Sequence, residues 1–387
     1  MSNIEKFGFY EFFAGGGMAR LGLGSKWKCL LANDVCPKKA DAYRNNFGDS
    51  PKFIIRDVAE MGLKDFQSKP SLAWASFPCQ DLSLAGMRRG LKARRSGTFW
   101  PFWEHIKTLN KERSPVPIIV LENVIGAISS HKGKDFQAIL GAMTKIGYKF
   151  GPLVMDSVNF ISQSRPRLFI IASKCDLIPS TLMRDGPTNV WHPKILNDSY
   201  ERLPKSIKDN WVWWDLPVAP QIKHDLSVIL EDNPISVRWH SKAETKNLLS
   251  LMSENNQRKV KEAQKCGRKL VGTIYRRTRS DKNGKKCQRA EVRFDQISGC
   301  LRTPAGGSSR QFILVVDGQN IRSRLLSSRE AARLMGVPDS YKLPPKYNEA
   351  YHLMGDGLVV PVVKWLEKNI LTPLAIILKK KGLMEAA

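Results

Sequence analysis

Short apolar runs recur through the first 175 residues, each bounded by turn residues and separated from the next by a helical pattern. Runs of this length suit buried strands, and amphipathic segments such as FWPFWEHIKTLN lie between them. Strands that alternate with helices form a parallel sheet covered on both faces. The pattern therefore predicts an α/β, doubly wound domain with strands at FGFYEFFA, KCLLAND, KFIIRD, SLAWASFP, VPIIVLEN, GYKFGPLVMD and RLFIIASK.

The pattern and the composition of the sequence change near residue 176. From there to residue 322 the alternation fades, tryptophans crowd the first half, and basic residues with glycine-rich turns fill the second. A helix with a serine start and a glycine stop follows at 327–336, and an apolar helix, broken at Pro373, follows at 358–378. We predict a main domain over 1–175 plus 323–387, with the C-terminal helix returning to it, and a smaller, irregular domain over 176–322.

Positive charge is the strongest signal in the composition. Lysine and arginine number 62 against 36 acidic residues, which gives a net charge of +26. Residues 258–289 alone carry 13 of these basic residues and two acids. A surface of this kind attracts polyanions. Because the charge is clustered, we expect a nucleic acid as partner rather than an anionic membrane.

The cysteines and the apolar content bear on the compartment. The chain has seven cysteines, an odd number, and none has the CxxC spacing. This argues against a disulfide framework and against a zinc site. No apolar run approaches the ~20 residues of a membrane span, and the first residues carry no secretory signal. We expect a cytoplasmic protein that uses no metal and binds no membrane.

Glycines and acids mark one edge of the predicted sheet. FAGGG, over 13–17, follows the first strand and precedes a helix, where glycines let the backbone approach a ligand. A tight structural turn would use the same glycines. Asp34 and Asp57 end the second and third strands, where open α/β sheets bind ligands. Either acid alone is commonly a cap or a turn former, but together they favour a ligand cleft.

Reactive side chains end the next strands. Cys79, in PCQ, is a thiol at the mouth of this cleft, although a buried apolar role is the commoner fate of cysteine. Glu122, in ENV, would have a raised pKa beside apolar strands, which suits a proton donor; a cap or an ion pair is the alternative. Arg165 and Arg167, in QSRPR, point the same way along an extended segment and can hold a carbonyl or a phosphate.

In this order and spacing, the motifs resemble those of the DNA (cytosine-5) methyltransferases of bacterial restriction–modification type. FAGGG is similar to the FxGxG cofactor loop, and FPCQDLSLAG to the catalytic PCQ segment. ENV, QSRPR, REAARLMGVPDSY and GDGLVVPVV follow in the family's order, so the resemblance runs from about residue 9 to 370 apart from the variable region. It implies a Rossmann-like, S-adenosylmethionine-dependent methyltransferase domain with a smaller target-recognition domain.

The resemblance implies a covalent mechanism. The thiolate of Cys79 adds to C6 of a cytosine flipped out of duplex DNA, which makes C5 nucleophilic. Glu122 protonates or hydrogen-bonds N3 of the base, while Arg165 and Arg167 hold O2. The methyl group passes from S-adenosylmethionine to C5, leaving S-adenosylhomocysteine, and loss of the C5 proton expels Cys79.

The resemblance also implies cofactor contacts. Asp34 takes the ribose hydroxyls, Asp57 the adenine amino group, and Phe99 covers the adenine. Val35 stands where relatives often have a large aromatic residue, and Asp356 stands in a turn that is GNS-like in relatives, so its role is open. The expected cofactor contacts are Phe13, Ala14, Gly15, Gly16, Gly17, Met18, Asp34, Val35, Asp57, Val58, Pro78, Phe99, Asp356 and Leu358.

DNA contacts are expected from two places. Residues 80–97 resemble the family's mobile loop, which closes over DNA. Residues 176–322 correspond to the target-recognition region, which supplies base and phosphate contacts. The expected DNA contacts are Gln80, Ser83, Arg88, Arg89, Arg94, Arg95, Arg276, Arg277, Arg279, Arg302, Thr303, Gly306, Gly307 and Arg310.

Three other functions remain to be weighed. An RNA cytosine-5 methyltransferase that acts on transfer RNA usually has a Cys-Phe-Thr signature, which this sequence lacks. A catalytically silent DNA-binding relative would have lost Cys79, Glu122 or an arginine of QSRPR. A small-molecule methyltransferase has no use for so basic a chain. We therefore expect a monomeric modification enzyme of a restriction–modification pair, whose cognate endonuclease shares the target without binding it.

Overall fold

The computed structural model describes residues 6–48, 53–78, 98–112, 114–174, 178–280, 284–303 and 310–382. Several predicted site residues lie outside these ranges, namely Cys79, Gln80, Ser83, Arg88, Arg89, Arg94, Arg95, Gly306 and Gly307. The chain divides into two compact units. The first unit is Met1–Asp156, Pro166–Ala219 and Val360–Ala387, and the second is Ser157–Arg165 and Pro220–Val359.

A seven-stranded sheet forms the centre of the first unit, with strand order β3-β2-β1-β4-β5-β7-β6. Its strands are β1 Phe7–Phe12, β2 Trp27–Asp34, β3 Phe53–Ile55, β4 Leu72–Ala75, β5 Ile118–Val124, β6 Lys149–Asp156 and β7 Pro166–Ser173. The first five strands pair in parallel, and β7 is antiparallel to both β5 and β6. The predicted α/β fold with a large parallel sheet is therefore confirmed.

Helices cover this sheet. They are α1 Met18–Leu23, α2 Pro37–Phe47, α3 Phe99–Lys111, α4 Gly126–Ser129, α5 Lys134–Lys145, α6 Lys194–Glu201 and α7 Lys205–Lys208. The apolar face of α3, from Phe102 to Leu109, is buried in one cluster with Ile119 and Leu121 of β5. This periodic face is what the sequence pattern FWPFWEHIKTLN indicated.

Residues 176–219 pack with the first unit, which differs from the predicted boundary at 175. Their two short strands, β8 Met183–Arg184 and β9 Trp213–Trp214, pair with each other. The indole of Trp214 donates to the carbonyl of Gly151 on β6 over 3.0 Å. This interaction is tight, because a Cβ at Gly151 would lie 2.3 Å from that indole nitrogen. Trp191 and Trp214, two of the tryptophans that suggested a separate domain, are thus buried in the first unit, whereas Trp239 belongs to the second.

A four-stranded antiparallel sheet, in the order β11-β10-β12-β13, forms the centre of the second unit. Its strands are β10 Leu270–Ser280, β11 Lys286–Arg293, β12 Phe312–Asp317 and β13 Asn320–Leu325. Two helices, α8 Lys242–Ser250 and α9 Glu254–Lys265, supply Leu248 and Val260 to a core shared with Ile274 and Leu314. The unit predicted to be irregular therefore contains a regular antiparallel sheet.

Helices α10 Ser328–Arg333 and α11 Tyr347–Asp356 also belong to the second unit, although 323–359 was expected in the main domain. The start of α10 is fixed by Ser327, which accepts from the amide of Glu330, while the Glu330 carboxylate accepts from the amide of Ser327. Glu330 also binds the buried guanidinium of Arg324 on β13, with both nitrogens 2.6 Å from its oxygens. These contacts join α10 to the four-stranded sheet.

The chain then returns to the first unit through α12 Val360–Leu366, a π-helical turn Glu367–Leu371 and α13 Thr372–Lys380. The predicted break at Pro373 is absent, because this proline lies in the first turn of α13. Helix α12 packs on α1, where a Cβ at Gly22 would lie 2.3 Å from Val363. The indole of Trp27 on β2 donates to the Thr372 hydroxyl over 3.0 Å. No helix in the described ranges is long and apolar enough to cross a membrane.

Candidate active site at the carboxyl edge of the seven-stranded sheet

The loop between β1 and α1 has a backbone that most residues avoid. Phe13, Gly15 and Gly17 all have positive φ angles, of 56°, 54° and 77°. The amide of Ala14 donates to the carbonyl of Asn33 at the end of β2 over 2.8 Å. At Gly17 a Cβ would lie 2.4 Å from the Phe47 ring and 2.8 Å from the Tyr43 ring of α2. The FAGGG sequence therefore permits both the turn and the close approach of α2.

Asp34 ties the end of β2 to this loop. Its two carboxylate oxygens accept from the amides of Gly15 and Cys36, each over 2.9 Å. The next residue, Val35, is 66% exposed. A carboxylate oxygen has lone pairs beyond the one used by each amide. The structure thus holds an acid and an exposed apolar side chain beside the glycine loop.

An acid that sequence reasoning missed lies beneath the loop. Glu11 of β1 is 1% exposed and accepts from the hydroxyl of Tyr43 over 3.1 Å and from the amide of Arg20 over 3.4 Å. Burial raises the pKa of Glu11 to about 7. The carboxyl group thereby joins β1 to α1 and α2. The available signal was an acid inside an otherwise apolar strand.

Asp57 has the helix-capping contact that was the alternative interpretation of this residue. Its carboxylate accepts from the amide of Ala59 over 2.9 Å, at the start of a single 3₁₀ turn. The side chain of Val58 is buried, and its carbonyl accepts from His105 Nε2 of α3 over 2.7 Å. Asp57 itself is exposed at the end of β3, so its carboxylate remains accessible at the same edge as Asp34.

Phe99 differs from its prediction. The side chain is 0% exposed, stacks on Trp103 with ring centroids 5.8 Å apart, and packs against Phe77. A side chain that is fully enclosed by protein cannot cover an adenine, so its expected cofactor contact is not supported by this arrangement. Met18 is buried to a similar degree. Phe99 instead forms the core beneath the segment that ends at the exposed Pro78.

Glu122 and Arg167 form an ion pair at the ends of β5 and β7. Arg167 Nε lies 3.3 Å from Glu122 Oε1, and the two side chains are 17% and 12% exposed. The neighbouring Asn123 donates to the carbonyl of Phe77 over 3.4 Å. This bond joins the end of β5 to the segment that leads through Pro78 to Cys79, which lies outside the described residues. The sheet thus presents an acid and a cation at the edge where that segment emerges.

Arg165 has contacts different from those predicted. It is 4% exposed, and its Nη1 donates to the carbonyl of Leu301 over 2.7 Å. Its Nη2 donates to the carbonyls of Gly355 and Gly357, each over 2.8 Å. These donors are therefore directed at the backbone of the second unit rather than at a base. Arg165 therefore has a structural role within the second unit, and its contact with O2 stays a prediction.

The GDG turn in the second unit is held together by these bonds. The Thr303 hydroxyl donates to the carboxylate of Asp356, and a Cβ at Gly355 would lie 2.9 Å from the Thr303 amide. Leu358 is buried. Asp356 thus has a protein partner, and Thr303, predicted to contact DNA, is that partner.

Among the predicted DNA contacts, the described arginines have different surroundings. Arg310 donates to Asn348 over 2.6 Å, and Arg302 is exposed. Arg276, Arg277 and Arg279 lie on β10 and are exposed. Within the described ranges no group of three or more histidine, cysteine, aspartate or glutamate side chains could hold a metal ion.

Comparison with known proteins decides the family. The profile of the C-5 cytosine-specific DNA methylases matches residues 7–372, nearly the whole chain. The chain belongs to this family. It is a DNA cytosine-5 methyltransferase.

Named relatives and solved structures agree with this assignment. The methyltransferase is 25% identical to Type II methyltransferase M.HhaI of Haemophilus parahaemolyticus, over 94% of this chain and 93% of the relative. It is 27% identical to M.HpaII of Haemophilus parainfluenzae, over 96% and 90%. Its fold is similar to that of S. pombe Dnmt2 methyltransferase, with a TM-score of 0.58 and 17% identity over 96% and 99% of the two chains. A mutant of Spodoptera frugiperda DNMT2 gives a TM-score of 0.61 at 15% identity over 95% and 100%.

Proposed function

We propose that this methyltransferase transfers a methyl group from S-adenosylmethionine to C5 of a cytosine flipped out of a specific duplex DNA sequence, through a covalent bond between Cys79 and C6. The observation that carries the proposal is the Glu122–Arg167 ion pair at the edge where the segment leading to Cys79 emerges. In the type of chemistry we propose, an acid and a cation are needed within reach of one base.

The residues at the glycine loop fit S-adenosylmethionine. The positive-φ loop lets the backbone approach a ligand, and Gly17 admits α2 beneath it. In this proposal Asp34 accepts from the ribose hydroxyls, Val35 contacts the adenine, and Asp57 accepts from the adenine amino group. The location of all three at the same edge of the sheet supports these roles. When bound, S-adenosylmethionine supplies an electrophilic methyl group on a sulfonium. Phe99 would support the site from the core without touching the cofactor.

The ion pair supports the roles that we propose for the residues around the target cytosine. Cys79 as thiolate forms a bond to C6, and the electron density displaced from the C5–C6 double bond makes C5 a nucleophile. Glu122 binds N3 and compensates the charge that develops there. Arg167 orients the Glu122 carboxylate and donates to O2. After C5 has gained the methyl group, loss of its proton restores the double bond and the C6–S bond breaks, so that Cys79 leaves as thiolate.

We further propose that the second unit recognises the DNA target, and that the protein is the monomeric modification enzyme of a restriction–modification pair in the bacterial cytoplasm. The relatives named above are type II methyltransferases, and this supports the biological role. The basic residues 258–289 lie in the second unit, and this supports its role in binding a polyanion.

Methyl incorporation tests the proposal. Labelled S-adenosylmethionine is offered with duplex DNA and, separately, with transfer RNA, and the products are sequenced for 5-methylcytosine. Label at one short DNA motif is expected. Label in RNA alone would assign the enzyme to the transfer RNA branch, and no label in either substrate with intact cofactor binding would indicate a silent DNA-binding relative.

Trapping tests the nucleophile. A duplex with 5-fluorocytosine at the target should remain covalently attached, because the fluorine at C5 cannot leave as the proton does. Cys79→Ser should lose both trapping and turnover while it keeps cofactor and DNA binding. Cys266→Ser is the matched control, because Cys266 is a free and exposed thiol. Turnover by Cys79→Ser at the wild-type rate would refute the mechanism.

A further inference from the structure

The hairpin of β10 and β11 extends beyond the four-stranded sheet as a two-stranded ribbon. β12 pairs with β10 only from Leu270 to Ile274, whereas β10 and β11 stay paired as far as Ser280 and Lys286. Residues 276–280 are all exposed. A two-stranded ribbon alone is only marginally stable in water, and its width fits the major groove of B-DNA. The shape therefore suits contact with a duplex.

The two faces of this ribbon differ in what their arginines contact. On one face, the Arg276 guanidinium carbon lies 5.0 Å from the centroid of Phe312, at the edge of the unit's core. On the other face, Arg277 and Arg279 share one acid across the hairpin. Arg277 Nε lies 3.3 Å from one carboxylate oxygen of Glu291, and Arg279 Nη2 lies 2.8 Å from the other. The second face thus presents two oriented arginines.

The fixed orientation of these arginines matters because a guanidinium recognises its partner through two parallel N–H donors. Arg277 is further restrained by the ring of Tyr275, 5.7 Å from its guanidinium carbon. Its ion pair uses Nε, so the two Nη groups lie at the opposite end of a planar fork. Two parallel donors match O6 and N7 of guanine in the major groove. An arginine already held in place loses less conformational entropy when it binds.

The acid in this surface favours bases over phosphates. A carboxylate placed against a phosphate is repelled, whereas at the base edges it can accept from the N4 amino group of cytosine. Arg289 lies on the same face, directly opposite Arg277 in the hairpin register, and is exposed. It has no ion pair with Glu291 among the contacts of the described residues and suits a phosphate.

We propose that Arg277 and Arg279, held by Glu291, read guanine in the major groove, so that the recognised sequence contains at least one G·C pair besides the target pair. The inference rests on the proposed DNA methylation and names the substrate that the second unit selects. In the duplex, C5 of cytosine also lies in the major groove before the base is flipped out.

Binding selection tests this inference. The full-length wild-type protein selects duplexes from a random library, and each guanine of the selected motif is then replaced by 7-deazaguanine, which lacks the N7 acceptor but keeps its pairing. Affinity is expected to fall about tenfold or more at one or more guanines, within the range for a lost base contact. A motif without an additional guanine, or full tolerance of 7-deazaguanine at every position, would overturn the proposal.

Variants assign the effect to the ribbon. Arg277→Ala should lose affinity for the guanine duplex and should no longer respond to 7-deazaguanine at the position that it reads. Glu291→Gln should weaken the same discrimination, because the arginines lose their restraint. The matched control, Arg289→Ala, should weaken binding to all sequences alike and reduce the slope of log affinity against log salt by about 1.

The outcomes separate this inference from the proposed function. If Arg277→Ala weakens all sequences alike, as Arg289→Ala does, the guanine assignment is wrong. Guanine-dependent binding without methyl transfer would overturn the proposed function and support the ribbon assignment. Methyl transfer that ignores 7-deazaguanine would do the reverse.

Discussion

Gly17→Ala tests how the glycine loop after β1 is built. Gly17 has φ 77° and ψ 32°, in the left-handed region, and a Cβ there would lie 2.4 Å from Phe47 and 2.8 Å from Tyr43. The left-handed backbone should cost a residue with a Cβ about 1–2 kcal/mol. Overpacking against two aromatic rings adds about 1–3 kcal/mol. The expected loss in the free energy of unfolding is therefore about 2–5 kcal/mol.

Gly133→Ala is the matched control for this substitution. Gly133 has a similar backbone, with φ 87° and ψ −3°, but its nearest neighbour to a Cβ would be the Ile128 carbonyl at 3.6 Å, an ordinary contact. Only the backbone cost of about 1–2 kcal/mol is expected. Urea denaturation of both variants and the wild type, followed by tryptophan fluorescence, gives the difference between the two sites. That difference is the packing of α2 under the loop.

Binding of S-adenosylmethionine, measured by calorimetry, supplies the second readout. Gly17→Ala should raise Kd, because relief of the clash moves the loop, while Gly133→Ala should leave Kd unchanged. Equal losses of stability in the two variants would show that the aromatic rings do not press on Gly17. Unchanged Kd in Gly17→Ala would separate the loop from the cofactor and refute the site as described.

Three further substitutions test other contacts. Burial raises the pKa of Glu11 from 4.5 to about 7. The contribution of Glu11 to stability is therefore present below pH 4.5 and is lost as the pH rises through 7. Glu11→Gln should lack this pH-dependent loss, which is about 3 kcal/mol at most, in urea titrations at several pH values. Arg165→Lys should lower the free energy of unfolding by about 3–5 kcal/mol, because buried carbonyls lose their donors. Arg167→Lys should instead lower kcat with little change in stability. A loss of stability in Arg167→Lys and a loss of kcat alone in Arg165→Lys would contradict these roles. Phe99→Ala should lower the free energy of unfolding by about 3–5 kcal/mol in the same denaturation assay, because it leaves a cavity in the core. An increase in the Kd of S-adenosylmethionine without this loss of stability would indicate that Phe99 contacts the cofactor.

The positions of residues could be predicted from the sequence where they depend on local structure. In a doubly wound sheet, the residues that follow parallel strands lie at the carboxyl edge. The locations of the loop from Phe13 and of the acids Asp34 and Glu122 could therefore be predicted. Phe99 and Arg165 could not. Whether an aromatic ring faces a cleft or a core depends on its neighbours, here Trp103 and Phe77, which sequence spacing does not reveal.

The domain boundaries failed for a related reason. Composition separated the tryptophan-rich segment from the alternating strands, but Trp214 packs on β6 through a contact 63 residues away in sequence. The four-stranded sheet was missed although Gly318-Gln319 is the two-residue loop between the paired Asp317 and Asn320, and a glycine at the first position of such a loop is a hairpin signal. Basic side chains dominated the interpretation of that region, and charge says little about backbone structure.

The partners of Arg165 have a consequence for how much the sequence of the second unit can vary. The second unit is one continuous stretch, Pro220–Val359, plus the short segment that ends at Arg165. In that stretch Arg165 binds carbonyls of Leu301, Gly355 and Gly357, which belong to the main chain. Every amino acid offers a carbonyl, so side chains elsewhere in the long stretch can be exchanged without loss of these acceptors, whereas Gly355 must stay a glycine because a Cβ there would lie 2.9 Å from the Thr303 amide. Under the proposed role of the second unit in target recognition, new recognition sequences can arise by transfer of the whole stretch, while Arg165, which binds its main chain, stays the same.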